Sequence, residues 1–166
     1  MKYAIIENGK VANIAKAEAP LADNWVPALD ARIGDLWDGE TFTSPAPPPP
    51  TPGDVNAERA RRLVAGTSVN ITGHGPVTLS GRDEDTRNLQ GLAFAAQLRL
   101  SQGDTTHQTT FRDAENVDHV LTPAQVLEMW SLGSAWIEQV YAASWALKDT
   151  QGGIPADYGN DAYWPQ

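Results

Sequence analysis

The sequence predicts an α+β protein: a small N-terminal β-hairpin module, a proline-rich linker, then antiparallel hairpins packed on three helices. Three observations carry this expectation. Turn dipeptides separate apolar runs at Asn8-Gly9 and Asp38-Gly39, prolines crowd residues 44–53, and Thr122-Pro123-Ala124-Gln125 opens a long apolar segment. At 166 residues there is room for one small module and one domain of about 100 residues.

Residues 3–15 run apolar on either side of Asn8-Gly9, the pair that best tolerates the two positive φ angles of a type I′ turn, so they predict a hairpin. Residues 33–43 repeat the device around Asp38-Gly39. Between the two hairpins Pro20 and Pro27 are expected to interrupt regular structure, leaving Trp25 and Val26 to cover the sheet. Residues 1–43 therefore form the β module, too small for assured stability alone. Residues 44–53, Ser-Pro-Ala-Pro-Pro-Pro-Pro-Thr-Pro-Gly, lack most backbone donors and favour an extended polyproline spacer of roughly 25 to 30 Å. A plain spacer is preferred to a proline ligand for an aromatic-lined groove.

The C-terminal domain is expected over 54–149. Asp54 can cap a helix to about Ala65, with Gly66 as its stop. Arg59, Arg61 and Arg62 on that helix read as a solvated face rather than an anion site. Two short β runs within 68–80, joined by Gly73-His74-Gly75, predict another hairpin. Asp83, Glu84 and Asp85 suit a helix N-terminus, and Leu89, Leu92, Ala93, Ala96 and Leu100 follow at helical spacing until Gly103. Strands at 106–112 and 116–121 bracket Asp113-Ala114-Glu115. Thr122 to Gln125 is a capping box with proline in its permitted first helical position. From Val126 to Leu147 apolar residues cover about half the circumference, wider than a two-layer core requires. Leu127 and Trp145 project to its edge, so either a neighbouring subunit or a central position in its own domain accounts for the width. Residues 150–166 form an aromatic tail on a polar background, docked on its own domain or on a neighbour.

Chemistry has little support in the residues. The absence of cysteine excludes disulfides and thiolate ligands. His74, His107 and His119 show no local metal spacing. Asp113, Glu115, Asp118 and His119 are the most tempting acid-base cluster, but acidic residues are expected at a hairpin tip for backbone reasons alone. Asp83-Glu84-Asp85 lacks the glycine and distal glutamate of a calcium loop. Neither a nucleophile elbow nor a phosphate-cradling glycine motif is present. The expectation is a non-enzyme with no cofactor and no metal. A net charge of −9 disfavours nucleic acid and anionic lipid. No apolar run reaches the roughly 18 residues of a membrane span, and the N-terminal residues do not read as a signal peptide, so a soluble chain made in the cytoplasm is expected. Six tryptophans exceed what a minimal core needs and favour assembly. Trp130, Trp136, Trp145, Tyr158, Tyr163 and Trp164 are the interaction candidates.

The stretches Lys2 to Val11 and Ile33 to Phe42, followed by the proline tract, resemble the N-terminal module of tail-associated proteins of phages and prophages. Residues 54–149 look like a C-terminal domain of unknown function that accompanies it, through Asn56 to Arg62, Arg82 to Asp85, Leu92 to Ala96, Leu121 to Gln125 and Ala146 to Asp149. The resemblance implies a structural or attachment subunit near the tail fibre or tail tip, placed in the virion tail after synthesis in the bacterial host cytoplasm. Its implied partners are other phage tail proteins and copies of itself, a trimer by analogy, with a host surface glycan or protein as a further one. A tail fibre assembly chaperone and a carbohydrate-binding host-recognition module are the alternatives. No active site comes with the resemblance.

Overall fold

A computed structural model describes all residues, Met1–Gln166. The chain divides into two compact units, Met1–Pro48 and Pro49–Gln166. The fold is α+β, with three helices and antiparallel sheets. None of the helices is long and apolar enough to cross a membrane.

In the N-terminal unit, β1 (Lys2–Glu7) and β2 (Lys10–Lys16) form the expected hairpin. Asn8 and Gly9 take φ of 50° and 73°, the left-handed pair that matches the twist of the strands. The segment between the prolines differs from expectation. Trp25–Pro27 is a strand, β3, paired antiparallel to β1. Proline is tolerated because β3 lies at the sheet edge and Pro27 is its last residue. β4 (Leu36–Trp37) and β5 (Phe42–Thr43) complete a five-stranded sheet in the order β3-β1-β2-β4-β5. The Asp38 carboxylate closes the β4–β5 turn by accepting from the Thr41 and Glu40 backbone N–H groups and the Thr41 hydroxyl. Those donors, led by Thr41, hold its carboxyl below the usual range. The core of this unit is small: Ala4, Val11, Ala28 and Ala31, with Ile6, Ile14 and Phe42 against them.

The C-terminal unit starts earlier than the composition suggested. Helix α1 spans Pro52–Ala65, and its cap is Thr51, not Asp54. Thr51 Oγ1 accepts the Asp54 N–H, and Asp54 returns its carboxylate to the Thr51 N–H. Thr51-Pro52-Gly53-Asp54 is thus a capping box with proline inside it, the grammar of Thr122-Pro123-Ala124-Gln125. The linker is correspondingly shorter than 44–53. Two hairpins follow the expected lines, β6 (Thr67–Ile71) with β7 (Gly75–Leu79), and β8 (Thr109–Arg112) with β9 (Asp118–Leu121). Helix α2 covers Asp83–Ser101 and α3 covers Pro123–Lys148.

Helix α3 lies centrally, packed on α1, α2, β6 and β9, which accounts for most of its wide apolar face. Val126 and Met129 enter one core with Val69, Ile71, Val77, Leu79, Leu89 and Leu121. Val140 and Leu147 enter a second with Val55 and Trp164. Each such side chain gains about 1.5–3 kcal/mol by leaving water. Gly133 sits where a Cβ would come 2.9 Å from Leu79 Cδ1, so the helix is bare where the β6–β7 hairpin crosses it.

Gly66 ends α1 with φ of 78°, and a Cβ there would stand 1.8 Å from the Leu79 carbonyl oxygen. Gly91, in the middle of α2, faces open space. Gly66→Ala is expected to destabilise the chain by about 3 kcal/mol or more. Gly91→Ala is expected to stabilise it by about 0.5–1 kcal/mol through helix propensity. Urea unfolding midpoints of the two variants against the parent check both signs.

Candidate functional site

The most specific polar arrangement joins the two hairpins of the C-terminal unit. The β8–β9 turn wraps its backbone around the Asp113 carboxylate, which accepts from the N–H groups of Val117 at 2.8 Å and Glu115 at 2.9 Å. The Thr78 N–H on β7 adds a longer contact of 3.4 Å to Oδ2, and the Ala114 N–H donates back to the Thr78 carbonyl. Asn116 completes the turn in the left-handed region at φ 64°, where asparagine is well tolerated. Burial of Asp113 would raise its carboxyl. The donors from Val117, His119, Glu115 and Thr78 outweigh it and hold the carboxyl below the usual range.

His119 stands on β9, 8% exposed, with Nε2 at 3.1 Å from Asp113 Oδ2. Its Nδ1 lies 2.8 Å from Nε2 of His74, an exposed residue in the β6–β7 turn. Asp113, His119 and His74 therefore form one hydrogen-bonded line from a buried carboxylate to an exposed imidazole. A charged Asp113 can only accept, so His119 donates from Nε2 and offers its Nδ1 lone pair to the Nε2–H of His74.

The other members of the expected acidic cluster do not converge here. Asp118 turns to Arg112, which donates from Nε at 2.7 Å and Nη2 at 2.9 Å, and that guanidinium holds its carboxyl below the usual range. The Glu115 side chain is exposed, and His107 lies half-buried before β8. His, Asp and Glu side chains nowhere gather in threes able to hold a metal. Asp83, Glu84 and Asp85 occupy the first turn of α2, where negative charge complements the helix dipole. What sequence reasoning missed is His74 with His119, which lie 45 positions apart with no local spacing to announce them.

The aromatic candidates divide. Trp164 is only 4% exposed, sits in the second core and donates Nε1 to the Tyr158 carbonyl. Trp136 and Tyr158 pack against that core, and Trp130 packs against the first. The buried Trp136 Nε1 has no acceptor. Those four side chains serve the unit's own interior, and the tail docks on its own domain. Of the arginines of α1, expected to be a solvated face, Arg61 is exposed as expected, while Arg59 and Arg62 do the holding. Arg62 donates to Glu58, to the Gly159 carbonyl and to Asp161, and lies 5.0 Å from the Trp164 ring centroid. Arg59 covers the Tyr141 ring at 4.5 Å and reaches Ser144 Oγ; Arg61 pairs with Glu58. Trp145 and Tyr163 are the candidates that remain exposed, Trp145 at 56%. Sequence reasoning missed Phe94 and Leu98. They lie on the outer face of α2, opposite Leu89, Ala93 and Ala96, with Phe94 75% exposed. In the N-terminal unit an open hollow of about 800 Å³ is lined by Trp37, Phe42, Lys2, Arg32 and Glu40 among others.

Asp113→Asn is expected to cost about 1–3 kcal/mol at neutral pH, because an amide cannot accept from every donor around it. The folded-state carboxyl of Asp113 is depressed, so its contribution is full above the ordinary carboxylate value, about 3.9, and is lost as pH falls through the folded value. The gap between parent and variant should narrow as pH falls below the ordinary carboxylate value. Urea unfolding at neutral and acid pH measures it.

Residues 51–162 match a protein family described as Domain of unknown function (DUF4376). The match starts at the Thr51 cap and ends in the 3-10 turn Asp161–Tyr163, wider than the 54–149 read from the sequence. No curated protein matches the chain. By the extent of that match, which takes in all three helices and both C-terminal hairpins, the chain belongs to the DUF4376 family.

Proposed function

We propose that this chain is a non-catalytic structural or attachment subunit of a bacteriophage tail, made in the bacterial cytoplasm and docked against a neighbouring tail protein. The observation that carries the reading is the apolar side chains left in water on the helices of the C-terminal unit. Phe94 and Leu98 lie one turn apart on the outside of α2, and Trp145 stands out from α3. Scattered exposed leucines are ordinary, whereas a phenylalanine and a tryptophan on regular elements are the large rigid groups that make interface anchors. The N-terminal sequence resemblance to tail-associated proteins supplies the setting. The Asp113–His119–His74 line is built from turn and strand contacts that tie two hairpins together, which favours a structural use of those residues.

A second reading, a carbohydrate-binding module for host recognition, is favoured by the hollow of the N-terminal unit. Trp37 and Phe42 pack at 4.4 Å between ring centroids on its wall, with charged side chains at the rim. Aromatic faces with flanking polar groups suit sugar rings. A glycan array with the full chain separates the two readings: signal abolished by Trp37→Ala supports this one.

Mass spectrometry of purified particles should find the chain in the tail. Its absence from finished particles, with presence in assembling lysates, would favour a fibre assembly chaperone. A Phe94→Ser, Trp145→Ser double variant should keep its thermal midpoint within a few degrees, since both residues are exposed. It should lose ~2 kcal/mol or more of docking free energy, about thirtyfold in affinity, read as reduced incorporation into tails.

A further inference from the structure

We propose that His74 and His119 form a proton-counting joint between the β6–β7 and β8–β9 hairpins, closed with one proton or none to spare and opened by a second. The proposal is independent of the tail reading and rests on the line of hydrogen bonds alone.

The proton inventory follows from the contacts. With both rings neutral, Asp113 accepts from His119 Nε2–H, and His119 Nδ1 accepts from His74 Nε2–H. One extra proton fits without breaking either bond. Either His74 becomes the cation and keeps donating, or His119 donates from both nitrogens while His74 shifts its proton to Nδ1 and accepts. A second extra proton leaves no arrangement that keeps the joint. Both rings would then point an N–H at the other across 2.8 Å, and two cations would share that contact with Asp113 as the one direct counter-charge.

The surrounding charges do not remove the conflict. On β9 itself, Asp118 is engaged by the Arg112 guanidinium. From α3, the Glu128 carboxylate is occupied by the Thr72 N–H and hydroxyl, and Gln125 there is neutral, donating to the Thr72 carbonyl. From α2, Asp85 lines the hollow on the Asp113 side. The Glu115 side chain is exposed on the turn. His119 is buried while His74 is exposed, so the joint opens by His74 swinging into water. His119 keeps its bond to Asp113 and loses its cover. Thr72 stays tied to α3, which confines the movement to residues 73–75 and the face of β9 they cover.

Opening binds one more proton than the closed form accepts. The closed-to-open ratio therefore falls about tenfold for each pH unit below the second protonation. Ring-proton NMR of the full chain, followed from neutral to acid pH, tests this. Contacts between the two rings are expected at neutral pH and lost at acid pH, while the contact of His119 with the Asp113 turn persists. In His74→Gln an amide replaces the second ring and can either donate to or accept from His119, so the joint should stay closed at acid pH. The turn is exposed, and an otherwise unchanged amide spectrum establishes that the variant is folded. A His119 acid response identical in the parent and in His74→Gln would overturn the proposal. So would ring contacts that persist through the whole acid range.

Discussion

Burial along one long helix is the constraint on which the C-terminal unit depends. Helix α3 contributes Val126 and Met129 to one core and Val140 and Leu147 to another, so neither interior exists without it. Its start is fixed locally by the Thr122–Gln125 box, and its middle is kept bare at Gly133 so that Leu79 can approach. Nothing comparable organises the N-terminal unit. There the small side chains Ala4, Val11, Ala28 and Ala31 leave the five-stranded sheet to be held mostly by backbone ladders and tight turns.

Charge in the C-terminal unit is spent on fastening chain segments to one another. Arg62 is almost covered, and its guanidinium gathers Glu58 from its own helix with Gly159 and Asp161 from the tail. Lys148 reaches Asn56 at 2.5 Å, linking the end of α3 to α1. The turn around Asp113 does the same for the two hairpins, through backbone donors and the His119 ring.

The elements that could be read from sequence are those whose signals are local. Asn8-Gly9 sets a turn by its own backbone preference, and Thr122-Pro123-Ala124-Gln125 fixes a helix start within four residues. Strand β3 escaped because its evidence is its partner: Trp25 pairs with Ile5 across intervening chain, and flanking prolines advertise a break. The Thr51 cap was hidden by its neighbours, since its box begins inside a proline run that reads as linker. The site was less legible than the fold. Asp113 and His119 are close in sequence and read together as an acid-base pair, but His74 joins them only through the packing of two hairpins. Trp164 and Trp136 read as surface anchors because composition reports how many aromatics there are, not which will be covered.

Tethering the last turn of the family domain to its first helix has a consequence for biogenesis. Val55 lies near the start of the unit, Val140 and Leu147 on its last long helix and Trp164 in its tail, so their shared interior is complete only once the tail is present. While the ribosome is still adding residues, α1 can form but has no surface to settle on, whereas the hairpins, α2 and the first half of α3 already possess theirs. The first core is therefore expected to consolidate during synthesis, and the second to click shut only after the Trp164 codon has been translated and its residue has cleared the exit tunnel.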